Sequence, residues 1–137
     1  MAQANCRILC VDDYPDSAEM LAILLSQQDY EVVTATSVEE AMQLANRDAF
    51  DLYVLDHRLP DGTGIELCQK LNEATPGIPC VFYTGDADEP HRQQALETGA
   101  AGYVPKPEVE VLIKVVRQLL SQRECAAAGS RLLDVAG

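Results

Sequence analysis

Five polar residues of the chain follow four short apolar runs, and their types suit chemistry on a phosphoryl group. Asp12 and Asp13 come after the first run, Asp56 after the second, Thr84 after the third, and Lys106 two residues after the fourth. Taken singly, a polar residue after an apolar run is most often an ordinary loop residue. Taken together, these residues would supply three carboxylates, one hydroxyl and one ammonium group.

The three carboxylates indicate a cation site. Carboxylates that share a pocket repel one another and resist joint ionisation, so a positive charge is needed to offset them. Mg²⁺ prefers oxygen ligands and commonly binds one or two carboxylates beside several waters. One carboxylate could then attack phosphorus while the cation, Lys106 and Thr84 stabilise charge on the phosphoryl oxygens. Asp56 is the preferred nucleophile because it ends the central apolar run, whereas the adjacent Asp12 and Asp13 are better suited to holding metal.

The elements that must position these residues alternate between short apolar runs and amphipathic segments, which are typical of strands and helices respectively. The predicted strands cover residues 8–11, 31–35, 52–55, 79–83 and 102–104. The predicted helices cover residues 15–28, 38–47, 65–72, 90–98 and 108–122. Five successive βα units predict an α/β fold, with a doubly wound parallel sheet covered by helices on both faces. Functional loops are expected where the carboxyl ends of its strands share one edge.

Local signals mark several element ends. Ser37, with Glu40 three residues later, predicts a capping box at the start of the second helix. Gly99 predicts the end of the fourth helix, and the sequence Pro-Asp-Gly at residues 60–62 predicts a turn. We expect residues 1–122 to form one domain. The Ala/Gly/Ser-rich residues 123–137 are expected to be a tail or the start of a linker.

Composition narrows the function classes. The 137 residues carry a formal net charge of −12, which argues against nonspecific binding to nucleic acid or to an anionic membrane. The first residues lack the apolar core of a signal peptide, so the cytoplasm is the default location. The five cysteines are odd in number and show no Cys-x-x-Cys spacing, which predicts neither a disulfide framework nor a zinc site. Cys6, Cys10 and Cys80 are instead expected to be small core residues.

The ordered set of strand-end motifs closely resembles the receiver domain of two-component response regulators. The resemblance spans residues 7 to about 122, and its specificity lies in the order and spacing of the motifs rather than in any single one. It implies the flavodoxin-like (βα)5 fold with strand order 2-1-3-4-5. The matching residues are Asp12 and Asp13, Leu55, Asp56, Leu59 to Gly62 and Gly64, Thr84 and Gly85, and Gly99, Ala100, Gly102, Tyr103 and Pro105 to Pro107.

The resemblance implies a role for each carboxylate. Asp56 would accept the phosphoryl group as an acyl phosphate. Asp13 and Asp56, with the backbone carbonyl of Arg58, would bind Mg²⁺ (or Mn²⁺), and Asp12 would act mainly through bound water. The chain would then be a signalling switch rather than an enzyme, catalysing only its own phosphotransfer and dephosphorylation.

The resemblance also implies how the signal spreads. Thr84 would bond the phosphoryl group and shift, Lys106 would pair with it, and Tyr103 would turn inward as an aromatic switch. Tyr103 has a plainer interpretation as a half-buried strand aromatic whose hydroxyl meets water. The bond between Lys106 and Pro107 is expected to be cis.

Four further residues flank the site. Arg58 and Asp86 carry opposite charges on neighbouring loops, and we hypothesise that they pair and shield the phosphoryl group from water. Gly85 stands where Ala is common in the family, which would loosen the loop after Thr84. His57 follows Asp56 directly and is expected to point elsewhere, which makes it a poor candidate for a catalytic base.

Two other function classes fit less well. A phosphohydrolase with an aspartyl nucleophile would need Asp-x-Asp after a strand, and a flavin-binding module would need a Ser/Thr/Gly-rich loop where Asp12 and Asp13 stand. The partners implied are a sensor histidine kinase or phosphotransfer protein and a downstream output domain or target protein. Phosphorylation-dependent dimerisation is open, as is whether the chain is a complete regulator or a module. No nucleic-acid or membrane binding is expected of this domain.

Overall fold

A five-stranded parallel sheet organises the computed structural model, which describes residues 6–86, 88–122 and 125. Its strands are ordered β2-β1-β3-β6-β7, which confirms the predicted 2-1-3-4-5 order because β4 and β5 form a separate two-stranded pair. The strands are β1 (Arg7–Val11), β2 (Glu31–Ala35), β3 (Leu52–Leu55), β4 (Arg58–Leu59), β5 (Gly62–Thr63), β6 (Cys80–Thr84) and β7 (Gly102–Pro105). The helices are α1 (Pro15–Ser26), α2 (Val38–Arg47), α3 (Gly64–Ala74), α4 (Glu89–Thr98) and α5 (Val109–Ser121).

Both faces of the sheet are covered by helices, as the unbroken apolar strands predict. Every residue of β3 and β6 is buried. Alternate side chains of these strands enter two separate clusters. One lies beneath α2, α3 and α4 and includes Leu55 and Phe82, and the other lies beneath α1 and α5 and includes Val54 and Val81. Among the described residues, no helix is long and apolar enough to cross a membrane.

Two local predictions are confirmed and a third is corrected. Gly99 ends α4 in the left-handed conformation with a φ of 109°, and the peptide bond between Lys106 and Pro107 is cis. The capping box at α2 forms only in part. The Ser37 hydroxyl accepts the N–H of Glu40, but the Glu40 carboxylate accepts the N–H of Thr36 instead of that of Ser37.

The residues after β3 form a hairpin where the sequence predicted only a turn. β4 pairs with β5 in antiparallel register, Arg58 opposite Thr63 and Leu59 opposite Gly62. A complete capping box then starts α3, with Thr63 and Glu66 as its partners, one residue earlier than predicted. The hairpin was missed because two-residue strands are too short to show a hydrophobic period.

The prediction of no disulfide is wrong. Cys6 and Cys125 are joined by a disulfide, with Cα atoms 5.0 Å apart and 119 positions between them in sequence. Cys10 and Cys80 are buried free thiols, as expected. The bridge was missed because neither cysteine lies in a motif, and only the fold brings the two chain ends together. Cys125 is the one described residue of the predicted tail, and the remainder of residues 123–137 lies outside the described part of the chain.

Candidate functional site

The carboxyl ends of β1, β3, β6 and β7 meet at one edge of the sheet and carry the site. Backbone bonds extend the parallel ladder by one residue there. The N–H of Asp56 donates to the Val11 carbonyl at 3.0 Å, and the N–H of Lys106 donates to the Thr84 carbonyl at 2.9 Å. Residues just beyond the strands are therefore held as firmly as the strands themselves.

The ammonium group of Lys106 joins two of the carboxylates. Its Nζ lies 2.8 Å from Asp12 Oδ2 and 3.2 Å from Asp56 Oδ2. These side chains are largely buried, with 24% of Lys106, 5% of Asp12 and 12% of Asp56 exposed. Three residues that are 44 to 94 positions apart in sequence thus form one ion cluster, since Asp56 and Asp12 are separated by 44 positions and Lys106 and Asp12 by 94.

Asp13 completes a triplet of carboxylates. Oxygen atoms of Asp12, Asp13 and Asp56 all lie within 4.8 Å of one another, and Asp13 is exposed to solvent. A divalent cation that prefers oxygen ligands fits such a set, with its remaining positions open to water. Arg58 begins β4 two residues after Asp56, beside the same loop.

The pKa shifts reflect the crowding of like charges. Burial raises the pKa of the Asp56 carboxyl; the charge of Lys106 lowers it in part, and that of Asp12 raises it further. Burial also disfavours ionised Asp12, but hydrogen bonds from Lys106 and the Tyr14 N–H outweigh burial and lower its pKa. Burial opposes the ammonium form of Lys106, yet the two carboxylates raise its pKa. Asp56 is therefore the carboxylate whose ionised form would gain most from an added positive charge.

A close backbone approach fixes the loop that carries Asp56. A Cβ atom on Gly64 would lie 2.2 Å from the Asp56 carbonyl oxygen and 2.8 Å from the Phe82 ring. The Gly64 N–H donates to the His57 carbonyl at 2.7 Å, so the start of α3 lies against the backbone that follows Asp56. Gly64 is therefore required for a steric reason, since only a residue without a side chain fits at this position.

The hairpin is also fastened to α2. Asp61 accepts the N–H groups of Val38 and Glu39 at 2.8 and 3.0 Å, and these bonds lower its pKa. A carboxylate at this position satisfies N–H groups that the first turn of a helix leaves without partners. Sequence reasoning assigned Asp61 only to a turn, because a capping residue distant in sequence leaves no local pattern.

Thr84 and Tyr103 are linked through the loop between them. Thr84 is buried, and its hydroxyl accepts the N–H of Asp86 at 3.1 Å. The Tyr103 hydroxyl donates to the Asp86 carbonyl, and its half-buried ring stacks on Phe82 with centroids 5.6 Å apart. Asp86 therefore connects the hydroxyl at the end of β6 to the aromatic ring on β7.

Arg58 and Asp86 form the ion pair that their charges predict. Arg58 Nε lies 2.7 Å from Asp86 Oδ2, and a second guanidinium nitrogen lies 3.2 Å from Oδ1. The Arg58 side chain is 80% exposed, so most of its surface contacts solvent. Hydrogen bonding to Arg58 is the main cause of the lowered pKa of Asp86.

His57 packs away from the carboxylates. Its ring meets that of His91 edge-on, with centroids 4.4 Å apart, and burial is the main cause of its lowered pKa. His91 in turn lies 2.5 Å from the Asp88 carboxylate. Sequence reasoning missed His91, which lies in a helix with little hydrophobic pattern.

Gly85 has free space around it, in contrast to Gly64. A Cβ atom there would meet no atom within 4 Å, and its φ is not positive. We therefore expect Gly85→Ala to raise the free energy of unfolding by about 0.4–1 kcal/mol, because Ala restricts the unfolded chain. Urea denaturation would measure the change. A decrease would show that the loop uses conformations that only glycine reaches.

Comparisons with known proteins agree on one family. The family model described as the response regulator receiver domain matches residues 8–117. The response regulator protein PilR of Pseudomonas aeruginosa is 38% identical over 101 residues, covering 74% of this chain and 23% of that protein. The transcriptional regulatory protein PhoP of Bacillus subtilis is 35% identical over 132 residues, covering 93% of this chain and 54% of that protein. The chain thus spans about half or less of the length of these relatives.

Solved structures agree with the sequence matches. The non-phosphorylated HemR receiver domain of Leptospira biflexa matches with a TM-score of 0.79 and 36% identity, over 85% of this chain and 95% of that one. The response regulator TrrA of Thermotoga maritima, solved in complex with Mg²⁺ and BeF, matches with a TM-score of 0.76 and 30% identity, over 84% and 99%. The order of the strands, the strand-end cluster and these matches together show that the chain belongs to the response regulator receiver domain family of two-component systems.

Proposed function

We propose that Asp56 accepts a phosphoryl group from a phosphorylated histidine of a partner protein. The observation that carries this proposal is the position of its carboxylate, 3.2 Å from the Lys106 ammonium at the end of β3. The carboxylate oxygen would form a bond to phosphorus as the bond between phosphorus and the donor's imidazole nitrogen breaks. Lys106 would hold one phosphoryl oxygen, and the Thr84 hydroxyl would donate to another.

A divalent cation fits the triplet of carboxylates, and we propose Mg²⁺, with Mn²⁺ as an alternative. Asp13 and Asp56, with the backbone carbonyl of Arg58, would hold it, and Asp12 would contact it mainly through water. The support is the spacing of the three carboxylates and the raised pKa of Asp56, which is caused by burial and by the neighbouring charge of Asp12. When bound, the cation would offset the carboxylate repulsion and stabilise charge on the phosphoryl oxygens.

The bonds around Asp86 support a route from the site to the surface. The Thr84 hydroxyl holds the Asp86 N–H, and the Asp86 carbonyl holds the Tyr103 hydroxyl. If Thr84 turned toward a phosphoryl oxygen, it would release the Asp86 N–H and free the loop that holds Tyr103. The face formed by α4, β7 and α5 would then change, and a partner could read it.

The partners follow from the family. A sensor histidine kinase or a histidine phosphotransfer protein would supply the phosphoryl group, and an output domain or target protein would read the altered face, which could also mediate phosphorylation-dependent dimerisation. Residues 1–122 would form the receiver and residues 123–137 a tail or the start of a linker, acting in the cytoplasm. The domain would catalyse only its own phosphorylation and dephosphorylation.

Acetyl phosphate with Mg²⁺ tests the phosphoacceptor directly. We expect the protein to gain one acid-labile phosphoryl group, detected by intact mass spectrometry, and Asp56→Asn to gain none. Asp48→Asn, which alters a carboxylate next to Arg47 at the end of α2, is the matched control and should label normally. Labelling of Asp56→Asn to the same extent, or a requirement for Asp48, would refute the assignment.

The ion pair of Arg58 and Asp86 should control how long the acyl phosphate lasts. We expect Arg58→Ala to shorten its half-life severalfold, because the guanidinium would no longer lie between the site and water. Asp86→Ala should have a similar effect, since it removes the partner that positions Arg58. The decay of radiolabelled phosphoryl protein measures both. An unchanged half-life in Arg58→Ala would show that the pair does not shield the phosphoryl group.

A further inference from the structure

Cys6 and Cys125 lie at the opposite edge of the sheet from the carboxylates. Cys6 directly precedes β1, and Cys125 follows the end of α5 by four residues. Their Cα atoms are 5.0 Å apart, within the range of about 4.4–6.8 Å that disulfides require. The two sulfurs meet although 119 positions separate them in sequence.

The surroundings of Cys6 hold it in a fixed position. Its carbonyl accepts the N–H of Glu31 at 2.8 Å, and the next N–H, that of Arg7, donates to Asp51 Oδ2 at 2.8 Å. Cys6 also packs against the cluster beneath α1 and α5, which contains Leu120 near the end of α5. Cys125 is 8% exposed, so the chain beyond α5 returns to the sheet at this point.

Two kinds of chemistry could use this pair of cysteines. Asp51 offers a carboxylate oxygen within 4.8 Å of both sulfurs, and the three groups together could be considered a metal site. A structural zinc site takes four ligands in tetrahedral geometry, however, and Asp51 already accepts a hydrogen bond from Arg7. The bonded sulfurs and the spacing of the Cα atoms favour a covalent bridge.

We propose that Cys6 and Cys125 form a reversible redox site that fastens the chain after α5 to the start of β1. The oxidant is a small disulfide of the glutathione type. One cysteine thiolate attacks this disulfide, forms a mixed disulfide and releases one small thiolate. The second cysteine thiolate then attacks the mixed disulfide at the protein sulfur and releases the second small thiolate. Two protein thiols are thereby oxidised, one small disulfide is reduced to two thiols, and the two protons that the protein thiols lose pass through solvent to the two released small thiolates.

The other three cysteines make poor competitors. Cys10, Cys68 and Cys80 are at most 1% exposed, and burial raises the pKa of Cys10 to about 12. The thiolate is the reactive form and must reach the dissolved disulfide, so thiols that are almost completely buried react slowly. Cys6 is only half-buried and is therefore more accessible to solvent than these three thiols.

The bridge would stabilise the domain without touching the phosphoacceptor. It closes a loop that spans the whole sheet, and a cross-link that spans a long loop restricts the unfolded chain most. The five residues of β1 separate it from Asp12, which corresponds to roughly 16 Å at about 3.3 Å per residue. Oxidation should therefore raise stability and leave labelling of Asp56 unchanged.

Thiol counting in buffers of defined glutathione ratio tests the proposal. After alkylation of the denatured protein, mass spectrometry should find all five cysteines modified under reducing conditions and three under oxidising conditions, because two of the five are bonded. Cys6→Ser and Cys125→Ser should each show four modified cysteines at every ratio. Cys10→Ala, the control, should still lose two modifiable cysteines on oxidation. The urea midpoint should rise on oxidation in the unaltered protein and in Cys10→Ala but not in Cys6→Ser.

Three results would overturn the proposal. These are five modified cysteines at every ratio, a mapped bridge that involves any other cysteine, and stoichiometric zinc released on alkylation. Asp56→Asn distinguishes the redox proposal from the phosphoacceptor proposal. It should show the same thiol titration as the unaltered protein, so a failure of phosphorylation and a failure of the redox site can be told apart.

Discussion

Replacing Lys106 by Ala should slow phosphorylation by acetyl phosphate by about 10²-fold or more, the effect typical of removing one preorganised charge donor from a reacting oxygen. The structure explains why this residue should matter so much. Its ammonium lies 2.8 and 3.2 Å from carboxylates of Asp12 and Asp56, and without it these two negative charges would face each other in a largely buried site. The initial rate of labelling at saturating Mg²⁺ is the measurement.

Two further variants make the Lys106 result interpretable. Lys114→Ala removes an exposed lysine of α5 and should label at the normal rate. Lys106→Arg keeps the charge but replaces a compact ammonium by a planar guanidinium, so an intermediate rate is expected. If Lys106→Ala labels as fast as the unaltered protein, the lysine pairs with the resting carboxylates only and takes no part in transfer.

Replacing Gly64 by Ala should have the largest effect on stability. A Cβ atom 2.2 Å from the Asp56 carbonyl oxygen and 2.8 Å from Phe82 leaves no room, and neither neighbour is the free end of a flexible side chain. We expect a loss of more than about 3 kcal/mol in the free energy of unfolding, at the upper end of the cost of overpacking. Urea denaturation measures it, and labelling of the folded fraction should fall as the Asp56 backbone shifts.

Gly85→Ala is the matched control for this prediction, because it makes the same chemical change in the neighbouring loop where no atom lies within 4 Å. The two variants should therefore differ in the sign of their effect on stability. Equal effects would mean that a general loss of glycine flexibility, and not the close approach to Asp56, determines the outcome.

The sequence predicts the sheet well because its central strands are buried on both faces. Runs such as Leu52–Leu55 are apolar throughout, and the structure buries every one of their side chains. The site is predictable for a related reason. Parallel strands bring their carboxyl ends to one edge, so Asp12, Asp56 and Lys106 had to lie near one another, and the structure brings them within hydrogen-bonding distance.

Two of the features that the sequence did not predict depend on contacts between distant segments. The capping of α2 by Asp61 and the bridge between Cys6 and Cys125 each join residues whose proximity exists only after the sheet has formed. The β4–β5 hairpin has strands of two residues, too short for any periodicity. Glu40 shows a further kind of failure. The spacing of Ser37 and Glu40 correctly predicted the start of α2. The Glu40 carboxylate, however, accepts the N–H of Thr36 and not that of Ser37.

The carboxylate of Asp61 gives the loop that follows Asp56 a support outside the candidate site. Asp61 accepts two N–H groups at the start of α2 and so joins the β4–β5 hairpin to that helix. The loop after Asp56 is therefore held by α2 as well as by β3. The position of Asp56 therefore depends in part on α2, although none of the candidate site residues lies on that helix. A change that tilts the first turn of α2 would therefore reach the loop after Asp56 through the side chain of Asp61.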